Sequence, residues 1–189
     1  MACSLSPPSY LDELKGWKKM STKLILAVLI GAVVYCVPAA AKTGASAKTD
    51  EAFLVAAAQA DMTIVHVGKM AQERAETPKL KDFANTLVQD HTNDYQELTE
   101  LAAKAGDTIP KAIDKQNVRA ISSLDRYKGK SFDHAFLENQ SAEHEKLVSA
   151  FKREAEHGSS PAIKAYANKA LPTIEQHLHD TQNLLKQKG

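Results

Sequence analysis

The stretch TPKLKDFANTLVQDHTNDYQELTELAAKAG, residues 77–106, decides the fold. Thr77 can cap a helix that Pro78 opens, because the first helical turn leaves unbonded the N–H that proline lacks. Gly106 can end it, since a glycine tolerates the left-handed backbone of a helix stop. Between these signals Leu80, Ala84, Leu87, His91, Asp94 or Tyr95, Leu98 and Leu101 recur at spacings of three and four, one face of an α-helix. The face is apolar except at its centre, where His91 and Asp94 stand. A helix of this length must bury its stripe, and the imidazole with it, against other helices.

The flanking sequence repeats the pattern. Upstream, Thr49 caps an expected helix over 50–75, with the stripe Phe53, Ala57, Ala60, Ile64, Val67 and Ala71. Only Glu76 and Thr77 separate it from the next helix, so the two are antiparallel neighbours. Downstream, Ser131 caps a helix over 131–157 that Gly158 stops, and Ser160 with Pro161 opens a last one over 161–187. The third stripe carries Phe136, Gln140, His144, Phe151 and Ala155; the fourth carries Ile163, Tyr166, Ala170, Ile174, His177, Thr181 and Leu184. Pro172 should kink that last helix by removing a backbone donor. Residues 107–130 are too many for a simple turn, and 112–127 can form a short helix along the bundle. The expected architecture is all-α: a four-helix bundle of ferritin-like topology, with a long crossover holding a short helix between the second and third long helices.

Residues 1–41 read differently. The 14 apolar residues 24–37 follow Lys15, Lys18, Lys19 and Lys23 and precede Pro38 and three alanines, the order of a secretory signal peptide. A membrane span needs about 20 apolar residues, so this run is short for an anchor. Met20 opens a more usual signal length, which makes residues 1–19 an extended basic region or a mis-assigned start. Cleavage after Ala41 leaves a linker over 42–49 and the bundle over 50–187. The formal net charge then passes from +1 to −1, with 20 Lys and Arg against 21 Asp and Glu. That balance excludes a basic surface for nucleic acid. Both cysteines, Cys3 and Cys36, leave with the leader, so no disulfide can form in the remainder. The eight glycines are dispersed, which excludes a phosphate-cradling loop, and no G-x-S-x-G elbow occurs.

All seven histidines belong to the bundle sequence, and four fall near helix midpoints: His66, His91, His144 and His177. Three lie on the apolar stripes and His66 one position off. Imidazoles converging at mid-height suggest a transition-metal site for zinc, copper or iron, with Asp94 and Asp180 one turn beyond His91 and His177. The Glu-x-x-His pattern of di-iron bundles is absent, because Val88 and Ile174 stand three residues before His91 and His177. That disfavours a di-iron centre, and a ferritin-like redox enzyme stands as a further alternative. The other reading of the same residues is a hydrogen-bonded core in which the histidines set helix register.

Phe53 to Ala58, Val67 to Ala71, Leu80 to Ala84, Val88 to His91, Phe132 to Phe136, His144 with Val148 and Phe151, and Leu171 to Leu178 together resemble an exported bacterial ferritin-like family of unknown function, often labelled predicted outer-membrane protein. The resemblance implies a ferritin-like bundle in the cell envelope, periplasmic or associated with the outer membrane, with His91, His144 and His177 at the family's recurrent histidines. Ile64 and His66 stand where that family commonly has glutamates, which leaves His66 as a substitute ligand. The partners these readings admit are a metal ion, another envelope protein or a second copy of the chain.

Overall fold

The computed structural model describes residues 44–187, and the leader expected at 1–41 lies outside them. Five helices and no strand occur among the described residues: α1 (Gly44–Arg74), α2 (Pro78–Ala105), α3 (Lys115–Leu124), α4 (Gly129–His157) and α5 (Pro161–Lys186). None is long and apolar enough to cross a membrane.

Chain directions follow from contacts at the helix ends. Arg74, closing α1, donates to Asp125 Oδ1 at 2.7 Å and to the Tyr127 carbonyl at 2.7 Å, just before α4 begins. At the other end the Ser159 and Ser160 N–H groups, which lead into α5, donate to the carboxylate of Asp50 in α1 at 2.9 and 2.8 Å. Lys79 at the start of α2 meets Gln187 at the end of α5, 2.7 Å apart. Helices α2 and α4 therefore start at one end of the molecule and run parallel, each antiparallel to α1 and α5. The segment between them returns the chain along the bundle and carries α3. Gln59 of α1 pins it: its amide donates to the Ala112 carbonyl and accepts from the Asp114 N–H, both at 2.9 Å. Tyr95 adds a bond to the Pro110 carbonyl at 2.8 Å.

The second long helix has the ends its sequence dictates. Thr77 accepts from the Leu80 N–H, and Gly106 turns left-handed at φ 78° so that the Asp107 N–H reaches the Ala102 carbonyl at 2.9 Å. The other ends differ from expectation. Helix α1 starts at Gly44, so Thr49 is inside it and residues 44–49 of the expected linker are helical. Helix α4 starts at Gly129 with Lys128 as its cap residue, and Ser131 donates back to the Lys128 carbonyl at 2.7 Å. Ser160 holds the cap position of α5 without a side-chain cap bond, and its own N–H donates to Asp50 of α1. Gly158 is not left-handed, with φ at −55°. Its need for glycine is spatial, since a Cβ would sit 2.6 Å from the Glu154 carbonyl and against the Glu154 carboxyl. The short helix is contained within the expected 112–127, and α5 runs on through exposed Pro172.

Fully buried Leu80, Leu87, Leu98, Phe132, Phe136, Leu137, Ile163 and Ile174 fill the interior. Phe53 meets Phe151 and Tyr166 edge-on, and the three rings form one aromatic group with centroids 4.9 to 6.4 Å apart. Gly68 lets α1 approach α2, as a Cβ there would lie 2.7 Å from Val88 Cγ2.

Candidate metal centre

Three helices bring one histidine each to the middle of the core. His91 from α2, His144 from α4 and His177 from α5 are 1%, 0% and 3% exposed. Their ring centroids form a triangle with every side 5.4 Å. One nitrogen from each ring lies within 4.8 Å of the others.

The outer nitrogen of each ring is committed to an oxygen. His91 Nδ1 is 2.9 Å from Asp61 Oδ1 on α1. His144 Nδ1 donates to the Gln140 carbonyl of its own helix at 2.8 Å, which fixes its proton because a carbonyl only accepts. His177 Nε2 is 3.0 Å from Asp90 Oδ2 on α2. The inner nitrogens are left facing one another. His91 Nε2 and His144 Nε2 are 3.3 Å apart, and His177 Nδ1 is buried with no hydrogen-bond partner.

Protonation cannot easily relieve that arrangement. Burial, opposed by the negative charges of Asp94 and Asp90, lowers His91 to about 4. Burial and the neighbouring His91 lower His144 to about 3, and burial lowers His177 as well. At neutral pH the rings are uncharged imidazoles. With donors pointing outward, three lone pairs converge, an arrangement that a cation can satisfy. Two ligands about 2.0–2.1 Å from a tetrahedral ion stand about 3.3 Å apart, the separation seen between His91 and His144. The third ring must move inward to complete such a set. Outer bonds to oxygen are what fixes the tautomer and orientation of a metal-binding imidazole.

The remaining expected ligands divide. Asp94, half-buried, groups with Asp61 and His91, their oxygens and nitrogen within 4.8 Å of one another. Burial first, then the nearby Asp61, raises its carboxyl to about 6. Asp180 stays at the edge, accepting from Gln176 at 3.0 Å, and His66 is exposed on α1 beside the crossover near Ile113 and Asp125. Neither is brought to the cluster. His66 points away because its position falls one residue off the buried stripe of α1. The contribution of that helix is Asp61, 4% exposed, which the stripe reading passed over in favour of adjacent Ala60. The spacing from Ala57 to Asp61 to Ile64, four then three, was the signal.

Two solved structures are similar to this chain. A DUF305 fragment from Deinococcus radiodurans superposes with a TM-score of 0.65 at 12% identity, covering 74% of this chain and 96% of that one. A DUF305 protein from Streptomyces coelicolor, provisionally named as secreted, gives 0.63 at 15% identity, covering 75% and 94%. At these identities the likeness concerns the helical fold. No curated protein matches. Residues 36–184 match the family described as a domain of unknown function, DUF4142, and on that span the chain belongs to it.

Proposed function

We propose that this protein is an exported, non-catalytic metal-binding bundle of the bacterial cell envelope, taking one zinc, copper or ferrous ion on His91, His144 and His177. The observation that carries the reading is the convergence of three inner nitrogens whose rings each set the other nitrogen against an oxygen, with His177 Nδ1 unpartnered. The parallel α2 and α4 joined by a long crossover support a ferritin-like ancestry for the bundle. The apolar run at 24–37 behind its lysines supports export. The near-complete burial of the three histidines favours holding a metal over turning over a substrate.

Metal analysis of the purified protein and of His91→Ala and His144→Ala tests this. At least one ion per chain in the unsubstituted protein, with the ion of the trio lost in both variants, is the expected result. No stoichiometric metal in the unsubstituted protein overturns it.

One contact favours a second reading. Burial raises the Asp61 carboxyl well above the usual range, so Asp61 can donate to His91 Nδ1 and His91 Nε2 in turn to His144 Nε2. The trio would then be a hydrogen-bonded core that fixes helix register. It requires thermal stability indifferent to zinc and copper, and a melting point raised by either ion removes it.

A further inference from the structure

Behind His91 stands a second group of donors. Asp61 Oδ1 is 2.9 Å from His91 Nδ1, and Asp94 brings another oxygen within 4.8 Å of both residues. The other oxygen of Asp61, Oδ2, is buried with no hydrogen-bond partner. A buried carboxylate oxygen without a partner is unfavourable unless a donor or a cation meets it. The hydroxyl of Tyr166 is also buried and unpartnered. Burial and then the negative charges of Asp61 and Asp94 hold its proton on. Two carboxyls and an imidazole edge are thus gathered beside the histidine trio with a carboxylate oxygen unanswered, and among the described residues no lysine or arginine is hydrogen-bonded to either aspartate.

We propose that His91 is shared between two ions: a second divalent transition-metal ion sits on Asp61, Asp94 and His91 Nδ1, while Nε2 serves the ion of the trio. The proposal rests on the metal reading of the trio. Ligands about 2.0–2.1 Å from one ion stand about 2.9 Å apart at a right angle, so the Nδ1 to Oδ1 separation admits a common ion once Oδ1 swings off the line of the Nδ1 lone pair. As the ion bonds to Nδ1, the N–H bond there breaks and its proton leaves to water; the ring becomes imidazolate and no electron is exchanged. The two ions bring four positive charges. The imidazolate and two carboxylates return three negative ones, which keeps the buried charge small. Asp94 is half-buried and gives this second position its contact with the outside.

Copper(II) alone is the probe, added to the purified full chain and followed by metal content and electron paramagnetic resonance. The expected result is two ions per chain, with the resonance intensity at two equivalents below that at one, because imidazolate couples the two spins. Asp94→Asn, checked for an unchanged helical spectrum, should bind one ion with the full intensity of an isolated copper. One ion in the unsubstituted chain overturns the second site and leaves the trio standing. Two ions in Asp94→Asn, or two uncoupled ions in the unsubstituted chain, overturn the shared histidine. No bound ion overturns this inference together with the metal reading of the trio.

Discussion

Asp61 Oδ1 lies 2.9 Å from His91 Nδ1, and both residues are at least 96% buried, joining α1 to the ring that faces the other two histidines. Asp61→Ala removes the oxygen that orients this ring. Zinc affinity should fall 10- to 100-fold, the usual effect of losing such an outer partner, and urea denaturation of the metal-free protein should show a loss of about 1–3 kcal/mol. Asp61→Asn keeps an acceptor and should recover most of the stability. Unchanged zinc affinity in Asp61→Ala would break the link between this pair and the metal.

Metal should also be visible in stability. A ligand that binds only the folded protein stabilises it by about 2.7 kcal/mol at a free concentration 100 times its dissociation constant. Thermal melting with zinc should therefore shift upward in the unsubstituted protein. The shift should shrink in His144→Ala, whose ring is one corner of the triangle.

The pH dependence of the metal-free protein has two opposed parts. Folding depresses His91 from 6.5 to about 4 and His144 from 6.5 to about 3, so their contribution is present above pH 6.5 and is lost as pH falls toward those values. Glu154 behaves in the opposite way. Burial and then the neighbouring Asp50 raise it from 4.5 to about 7, so its contribution is present below 4.5 and is lost as pH rises toward 7. Asp94, raised from 3.8 to about 6, acts in the same sense as Glu154. The parts offset one another between about pH 4.5 and 6, and acid loss is shallower there than the histidines alone would produce. Chemical denaturation of Asp94→Asn/Glu154→Gln across pH 5 to 7 should show a steeper acid loss than the unsubstituted protein; equal slopes would refute the offset.

Gly68 sets the spacing of α1 and α2. Alanine would gain about 1 kcal/mol of helix propensity at this position. Its Cβ would meet Val88 Cγ2 at 2.7 Å, and overpacking of that kind costs about 1–3 kcal/mol. Gly68→Ala should be net destabilising in the unsubstituted background and less so, or stabilising, beside Val88→Ala. A double-mutant cycle of denaturation midpoints measures the coupling.

Asp50 accepts from both Ser159 and Ser160 N–H and ties the start of α1 to the turn before α5. Asp50→Ala should lower stability by about 1–2 kcal/mol, the scale of a lost helix cap, and Asp50→Asn should lose less. A denaturation midpoint unchanged in Asp50→Ala would show the turn to be held by other bonds.

Signals that lie within a few residues of each other were legible in the chain. Thr77, Pro78 and Gly106 bound α2 as read, because cap and stop geometry is local backbone chemistry. Mid-stripe His91, His144 and His177 were placed in the core by periodicity alone, and all three are buried. Thr49 and Ser131 were misread for the same reason that made them attractive. A hydroxyl before a helical pattern can cap it, yet a longer run of helix-forming residues or a bonded turn upstream can move the start. Asp50 was read as an anion for its own helix, whereas its hydrogen bonds go to Ser159 and Ser160, more than 100 residues away.

The amino-acid sequence by itself determined the helical class, the four long amphipathic segments and which face of each must be buried, because 3.6-residue periodicity is a property of one segment at a time. It also determined that an imidazole would sit at the centre of three of those faces. Which nitrogen of each ring looks inward was decided only when the helices packed. That choice depends on Asp61, Gln140 and Asp90, whose positions relative to the rings are set by the rotation and register of neighbouring helices. A one-residue shift of any helix rotates a side chain by about 100° and would break the triangle while leaving every stripe apolar.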